Sequence, residues 1–384
     1  MTTTRSKALS ETEVCASYDA VLLDLDGVVY IGGQPITGVP AALAALRDRG
    51  LRLAFVTNNA SRTPDEVAHR LRRMDVPADP ADVITSAQAA ARYTAQRLPT
   101  GATVLALGAP ALSSALAEQG LIPVASAEAS PAAVVQGFSP DLSWRELAEA
   151  SLAIRAGAQW IACNGDATLP SARGPVPGNG SLVAALVHAT TTIPTFVGKP
   201  HPAMHRAAIE RTQATRPLII GDRLDTDIAA ATAAGCDSML VLSGITTALQ
   251  LLTAPPPERP TYLGLTAADL LRPPRSACAE DDGFSCGPWN ATAESGRVLL
   301  RHREIATDTV SPKDTASPEH SLDALLALCM ASWNSPASAT PGPDAPVVVA
   351  SDHHAEAALH RLGIPVAPRT CRGSSQDSRR QPDR

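Results

Sequence analysis

Two carboxylates one residue apart, Asp24 and Asp26, close an apolar run in DAVLLDLDGVVY (residues 19–30) and precede Gly27. Successive strand side chains alternate faces, so positions i and i+2 share one. Two carboxylates on one face repel each other and are costly to desolvate. A hard cation such as Mg²⁺, which takes oxygen ligands, relieves that repulsion. A carboxylate is also a nucleophile toward phosphorus, and a second carboxyl can protonate the leaving group and then deprotonate water. Gly27 lets the backbone turn closely around a phosphate. The same string equally describes a solvated strand end followed by a turn.

Three further strings carry matching chemistry. In FVTNNASRT, Thr57, Asn58 and Asn59 offer hydroxyl, amide and backbone N–H donors at a strand-to-loop junction, which suits phosphate oxygens as well as a plain Asn-rich turn. In VGKPHP, Lys199 sits between Gly198 and Pro200, where a fixed ammonium can neutralise a phosphoryl group and nearby aspartates. His201 and His205 follow it and read as helix-face residues. In PLIIGDRLDTDI, Asp222 ends an apolar strand and matches a metal ligand, whereas Asp225 and Asp227 also suit a helix N-terminus.

The elements that must position these residues alternate. AVLLDLD, LRLAFVTN, TVLALG, AAVVQGF, QWIACN, PTFVGKP, PLIIGD and SMLVLSG read as buried strands, separated by Ala-rich helical runs. Thr63-Pro64-Asp65-Glu66 and Ser143-Trp144-Arg145-Glu146 predict capped helix starts. Such alternation implies an α/β fold with a parallel sheet covered on both faces, whose site lies beyond the carboxyl ends of its strands. Asp24, Thr57, Lys199 and Asp222 are thus expected at one edge of one sheet.

The ordered set D-x-D-G, T-N-N, G-K-P and G-D-x-x-x-T-D, each at a strand end, resembles the haloacid dehalogenase-like phosphohydrolases, in particular the NagD-like, p-nitrophenylphosphatase-type subfamily. The long insertion between Thr57 and Lys199 is similar to that subfamily's α/β cap, and CNGDATLPSARGPVPGNGSLVAAL (163–186) to its cap loop and following helix. The resemblance covers about residues 18–272. It implies a Mg²⁺-dependent phosphatase working through an aspartyl-phosphate. Asp24 would be the nucleophile and Asp26 the general acid/base. Asp24, the backbone carbonyl of Asp26 and Asp222 would hold the metal, with Asp227 supporting that shell. Gly27, Thr57, Asn58, Asn59 and Lys199 would receive the phosphoryl group. The implied division is a flexible N-terminus (1–17), a core in two parts (18–86 and 194–272) around a cap (87–193), a linker (273–283), a small α+β segment (284–334) and a mostly flexible tail (335–384). Within the cap loop Asn164, Asp166 and Arg173 are candidate specificity residues, although Arg173 also suits an ordinary surface position. The closing cap favours a small phosphate ester over a phosphoprotein and argues against a phosphomutase.

Residues 284–334 resemble an extension on some actinobacterial members of the subfamily, including ones linked to glycerol 3-phosphate phosphatase activity, which directs the substrate expectation there. 2-Phosphoglycolate, a nucleoside monophosphate such as UMP and pyridoxal phosphate stay open, as does a non-catalytic phosphometabolite-binding regulator. In SDHHAEAALH, His353, His354 and His360 lack a second ligand cluster and read as a solvated helix or coil.

Composition bounds the rest. The 384 residues are 45% hydrophobic and 18% charged with a net charge of −6, as in a globular protein without a basic block for nucleic acid. Seven cysteines, an odd number without a CxxC pair, read as reduced cytosolic thiols. The absence of a signal-like apolar run or a span-length segment predicts a cytoplasmic protein without membrane contact, with association of copies through the cap as an open expectation.

Overall fold

All of Ala20–Leu23 is apolar and buried, as expected for a strand covered on both faces. The computed structural model describes residues 13–169, 173–294, 296–303, 317–335 and 346–367. It places this strand inside a six-stranded sheet, between Pro217–Gly221 and Arg52–Thr57. Asp237–Val241 and then Tyr262–Gly264 continue the sheet on one side, and Val83–Thr85 on the other. Every pairing is parallel. Leu23 lies beside Ile220 and Phe55, so Asp24, Thr57 and Asp222 emerge at the same edge.

Alternation sorts the buried side chains onto two faces. Val21, Leu23, Leu53 and Phe55 pack with Leu43, Leu46 and Leu71, while Leu22, Ala54 and Val56 join Ala90, Met204 and Ala208. Each fully buried Leu or Phe contributes about 1.5–3 kcal/mol of transfer free energy. The capped helix starts are in place: Thr63 with Glu66 closes a capping box on Pro64–Arg72, and Ser143 with Glu146 on Trp144–Arg155.

An inserted second sheet runs in the order Thr195–Phe196, Gln159–Ala162, Ala133–Gln136, Thr103–Leu107, Ile122–Val124, again all parallel. Two expectations change here. The PTFVGKP run, assigned above to the second part of the core, contributes its strand to the edge of the inserted sheet. Both of its strand residues are exposed, which suits an edge and not the core sheet. Lys199 therefore approaches the site from the insert, not from a fourth strand of the core sheet. The insert is also not packed separately: Leu22, Val56, Leu112, Val135 and Ile161 share one apolar cluster. Asn179–Thr190, the helix after the cap loop, begins at the site described below.

Residues 247–253 and the described residues from 276 to 367 form a second compact unit. Its sheet runs Cys278–Glu280, Gly283–Cys286, Trp289–Glu294, Arg297–His302, Val347–Ala350; the first three pairings are antiparallel and the last is parallel. The helix Pro318–Trp333 buries Leu322, Leu325, Leu328 and Cys329. The boundaries read from sequence are thus too narrow. A strand starts inside the supposed linker, and Val347–Ala350 with the helix His353–Arg361 falls inside the supposed tail. The Pro-rich spacer before residue 346 conceals a strand whose partner lies far back along the chain. His353 and His354 start that helix with ring centroids 3.9 Å apart, and His354 lies 4.8 Å from the His302 ring. At the other end, Val14–Ser17 is a short helical turn, while residues 1–12 and 368–384 lie outside the described residues. Among the described residues no helix is long and apolar enough to cross a membrane.

Candidate active site at the strand ends

Lys199 is buried, 4% exposed, and its Nζ lies 2.5 Å from Asp24 Oδ1 and 2.6 Å from Asp227 Oδ1 while donating to the Val56 carbonyl at 3.2 Å. Asp24, Asp222 and Asp227 bring carboxylate oxygens within 4.8 Å of one another. One ammonium thus faces three carboxylates, and the titration of Asp24 and Asp222 reflects the imbalance. Burial pushes the Asp24 carboxyl well above the usual range, with Lys199 opposing and Asp227 and Asp222 adding to the rise. Burial and then Asp227 push Asp222 up to about 6. Burial alone would pull Lys199 down, but Asp227 and Asp24 hold it above its ordinary value. The donors are hard oxygens and the excess charge is negative, so this chain's residues fit Mg²⁺.

The turns around Asp222 are shaped to this cluster. A Cβ on Gly244 would stand 1.9 Å from Asp222 Oδ2, and one on Gly27, which has φ +87°, would stand 2.5 Å away. The Ile245 amide donates to Asp222 Oδ2 at 2.8 Å, and the Thr246 hydroxyl to its carbonyl at 2.6 Å. Asp227 sits in a wide helical turn, Leu224–Ile228, and Gly221 clears space for it: a Cβ there would lie 2.1 Å from the Asp227 Cβ. Sequence reading places Asp227 behind the metal ligands; the structure brings its carboxylate into the cluster itself.

Proton competition gives a direct expectation. The folded Asp222 carboxyl, near 6, lies above its unfolded value of about 3.9. Its burial therefore destabilises the metal-free fold increasingly as pH rises through that window, and a cation reverses the penalty only once the proton has left. Added Mg²⁺ is expected to raise the melting temperature more at pH 7.5 than at pH 5, as read by thermal unfolding with and without the ion. An equal shift at both pH values would refute this account.

Asp26 stands at the mouth, exposed yet crowded. Lost hydration pushes its carboxyl up, against the charges of Arg70 and Arg62 and the Tyr30 hydroxyl, which donates to it at 3.2 Å. The Arg70 guanidinium lies 4.5 Å above the Tyr30 ring.

The Thr57–Asn59 segment departs from its expected use in detail. The Thr57 hydroxyl accepts from the Asn59 amide at 3.2 Å, and Asn59 Oδ1 accepts from Ser61. Asn58 is occupied twice over: its Oδ1 accepts from the Lys199 amide at 2.8 Å, and its Nδ2 donates to Asp166 Oδ2 and to the Lys199 carbonyl, each at 3.2 Å. Asn58 thus ties the cap loop to the lysine loop. Asn164 extends that tie, donating to the Asn58 carbonyl at 2.7 Å, and Asn179 donates to the Asn164 carbonyl at 2.8 Å.

Of the residues singled out from sequence, Asp24, Asp26, Thr57, Asn58, Asn59, Asn164, Asp166, Lys199, Asp222 and Asp227 wall one pocket of about 370 Å³, and Gly27 does not. Arg173 is exposed and is not part of that wall. Sequence reading missed Arg62, Phe138, Asn179, Arg223 and Ile245, which also line it. Arg223 pairs with Asp225 at 2.9 Å and lies 3.7 Å from Asp166. The single available signal was position: Arg223 follows Asp222, and Arg62 closes the T-N-N loop.

His205 lies on the helix Ala203–Thr212 and is buried, 2% exposed, with no hydrogen-bond partner for Nδ1 among the described residues. Burial, then the charge of Lys199, pushes it down to about 3. The unfolded imidazole takes a proton near 6.5, so stability from the neutral buried ring is full above that pH and is lost as pH falls toward 3. The slope reaches about 1.4 kcal/mol per pH unit. His205→Leu is expected to flatten the acid limb of denaturant-measured stability between pH 6.5 and 4; an unchanged limb would count against it.

The chain's matches agree with this geometry. Residues 21–122 match the haloacid dehalogenase-like hydrolase model, 196–270 the related HAD-hydrolase-like model and 286–364 a GCN5-related N-acetyltransferase like domain. D-glycerol 3-phosphate phosphatase of Mycobacterium tuberculosis is 49% identical over 251 residues, 65% of this chain and 70% of that protein. Acid sugar phosphatase of Staphylococcus aureus is 37% identical over 232 residues, 60% of this chain and 88% of its own length. The crystal structure of glycerol phosphate phosphatase from M. tuberculosis in complex with calcium aligns with TM-score 0.81 at 39% identity, covering 93% of this chain and all of that one; its magnesium complex aligns at 0.79.

Proposed function

This chain belongs to the haloacid dehalogenase-like hydrolases, and from that premise we propose that it hydrolyses glycerol 3-phosphate by way of an aspartyl-phosphate on Asp24. It is a phosphatase of small phosphorylated metabolites. The observation that carries the reading is Asp24 at a strand tip, 2.5 Å from a buried ammonium and beside two further carboxylates in a walled pocket.

Asp24, Asp222 and Asp227 would hold Mg²⁺ through their carboxylates, and the main-chain carbonyl of Asp26 would add a further ligand. When bound, the ion would supply positive charge that offsets the phosphoryl oxygens. Lys199 opposes the upward push on Asp24 and favours its ionised, nucleophilic form. A carboxylate oxygen of Asp24 forms a bond to phosphorus while the bond from phosphorus to the ester oxygen breaks, and Asp26 gives that oxygen its proton. Asp26 then takes a proton from water, whose oxygen attacks the same phosphorus. Inorganic phosphate leaves and the Asp24 carboxylate is restored. Thr57 and the amides of the following loop receive phosphoryl oxygens, while Asn58 holds the lysine loop to Asp166. Asn164, Asp166 and Asn179 face the alcohol portion.

The 370 Å³ pocket is at the small end of the range for ligand sites, about 300–1,000 Å³, which supports a compact ester over a nucleotide. Six free thiols among the described residues support a reducing, cytosolic setting, and Trp144 and Ile193, 80% and 77% exposed on the insert, support association of copies through it. The test is phosphate release with Mg²⁺ from glycerol 3-phosphate, 2-phosphoglycolate, UMP and pyridoxal phosphate. Glycerol 3-phosphate is expected to give the highest kcat/KM, and a preference for any of the other three would replace it as substrate.

A further inference from the structure

A second cavity, of about 560 Å³, opens between the hairpin of Tyr30–Ile31 with Gln34–Pro35 and the helix Pro64–Arg72, and shares Arg62 with the catalytic pocket. Arg62, His69, Arg70 and Arg73 line it. Basic residues at the end of a helix complement its dipole, which accounts for Arg70 and Arg73 being there. It does not account for their lack of a direct ion pair. Among the described residues Arg62, Arg70 and Arg73 make no ion pair, whereas Arg72 beside them reaches Asp79 at 4.0 Å. Two acids share the wall. Glu66 is held by the Thr63 amide and hydroxyl at 2.7 and 3.2 Å, which leaves Asp75 as the one uncommitted carboxylate against three guanidinium groups. The hairpin tip comes close because it is glycine: Gly33, at φ +91°, would set a Cβ 3.3 Å from Arg70 Nη2.

Three guanidinium forks around a concave space match the oxygens of a phosphate dianion, which they can grip in bidentate pairs. We propose that this cavity binds a second phosphate group, either the inorganic phosphate released by the enzyme or the phosphoryl group of a metabolite, and that Arg62 couples its occupancy to the catalytic pocket. A bound dianion draws Arg62 toward itself, and Arg62 also lines the catalytic pocket beside Asp26. Occupancy therefore changes turnover and not only substrate binding.

The experiment uses the full chain loaded with Mg²⁺, as wild type, Arg73→Glu and His69→Glu. Neither substituted residue lines the catalytic pocket. Calorimetric titration with inorganic phosphate is expected to show one more equivalent per chain in wild type than in Arg73→Glu. A parallel titration with the non-hydrolysable phosphonate of glycerol 3-phosphate identifies the source, as the tighter of the two at that extra site. Against p-nitrophenyl phosphate, inorganic phosphate is expected to alter both slope and intercept of double-reciprocal plots in wild type, and slope alone in both variants, whose uninhibited kcat stays within about twofold of wild type. Equal stoichiometry in wild type and Arg73→Glu would overturn the proposal, as would slope-only inhibition of wild type. Should Arg73→Glu not fold, His69→Glu carries the same comparison. The stoichiometry is independent of turnover, so failure of the phosphatase reading and failure of this site are distinguishable.

Discussion

Asp24→Asn is expected to lower phosphate release by about 10⁴-fold or more, the scale on which removal of a nucleophile acts. The same substitution is expected to leave the metal-free protein as stable as wild type or more so. Asparagine keeps the shape of aspartate but removes one of three carboxylates that face a single ammonium, and Lys199 retains its 2.6 Å contact with Asp227. Burial and the two neighbouring acids already push Asp24 toward its neutral form, so replacement by a neutral amide relieves strain in the charge balance. Phosphate assay and thermal unfolding on one preparation read both effects. A variant that keeps a tenth of wild-type turnover would remove Asp24 from the nucleophile role. A variant that is inactive because it no longer folds would contradict the electrostatic account instead.

Lys199→Met is expected to do the opposite to stability. It leaves the half-buried Asp24 and the buried Asp222 and Asp227 without that ammonium, and breaking one partner of a buried ion pair such as Lys199 with Asp227 costs about 3–5 kcal/mol. Phosphate release is expected to fall by about 10³-fold, in keeping with the loss of a cation that stabilises a transferring phosphoryl group. The two effects separate on titration with Mg²⁺. The ion restores much of the lost melting temperature, since it replaces missing positive charge, but it does not restore turnover, since the ammonium at Asp24 is still absent. Recovery of both together, read by unfolding curves and initial rates across a Mg²⁺ series, would assign Lys199 a purely structural role.

The residues that end apolar strands were the legible ones. Asp24, Thr57 and Asp222 each follow a short buried run, and parallel pairing puts such ends at one edge whatever the rest of the chain does. Lys199 was legible as a site residue but not by its route, because a strand as short as Thr195–Phe196 carries no periodicity that would tell a core sheet from an inserted one. Asn58 was legible as a donor at the site, yet its side chain is taken up by Lys199 and Asp166, and both partners are more than 100 positions away. Arg62, Phe138 and Ile245 come from irregular segments whose paths depend on how the insert settles, and no local pattern marks them. The C-terminal unit was half legible: its hairpins and long helix are contiguous, but Val347–Ala350 pairs across a spacer whose composition resembles a linker.

The central position of Ala20–Leu23 has a consequence during synthesis. Of its two flanking strands, Arg52–Thr57 leaves the ribosome soon afterwards, while Pro217–Gly221 follows only once the whole insert has been made. Until then one side of an entirely apolar strand has no hydrogen-bonding partner, which is the kind of edge that recruits other chains. Asp24 and Lys199, 175 positions apart, cannot meet before that stage either, so a nascent chain passes through a long interval with its first aspartates made and their counter-charge missing. Early termination before residue 217 should accordingly yield an aggregating fragment rather than a weakly active one, and the insert, translated within that interval, is the portion available to shield the open edge.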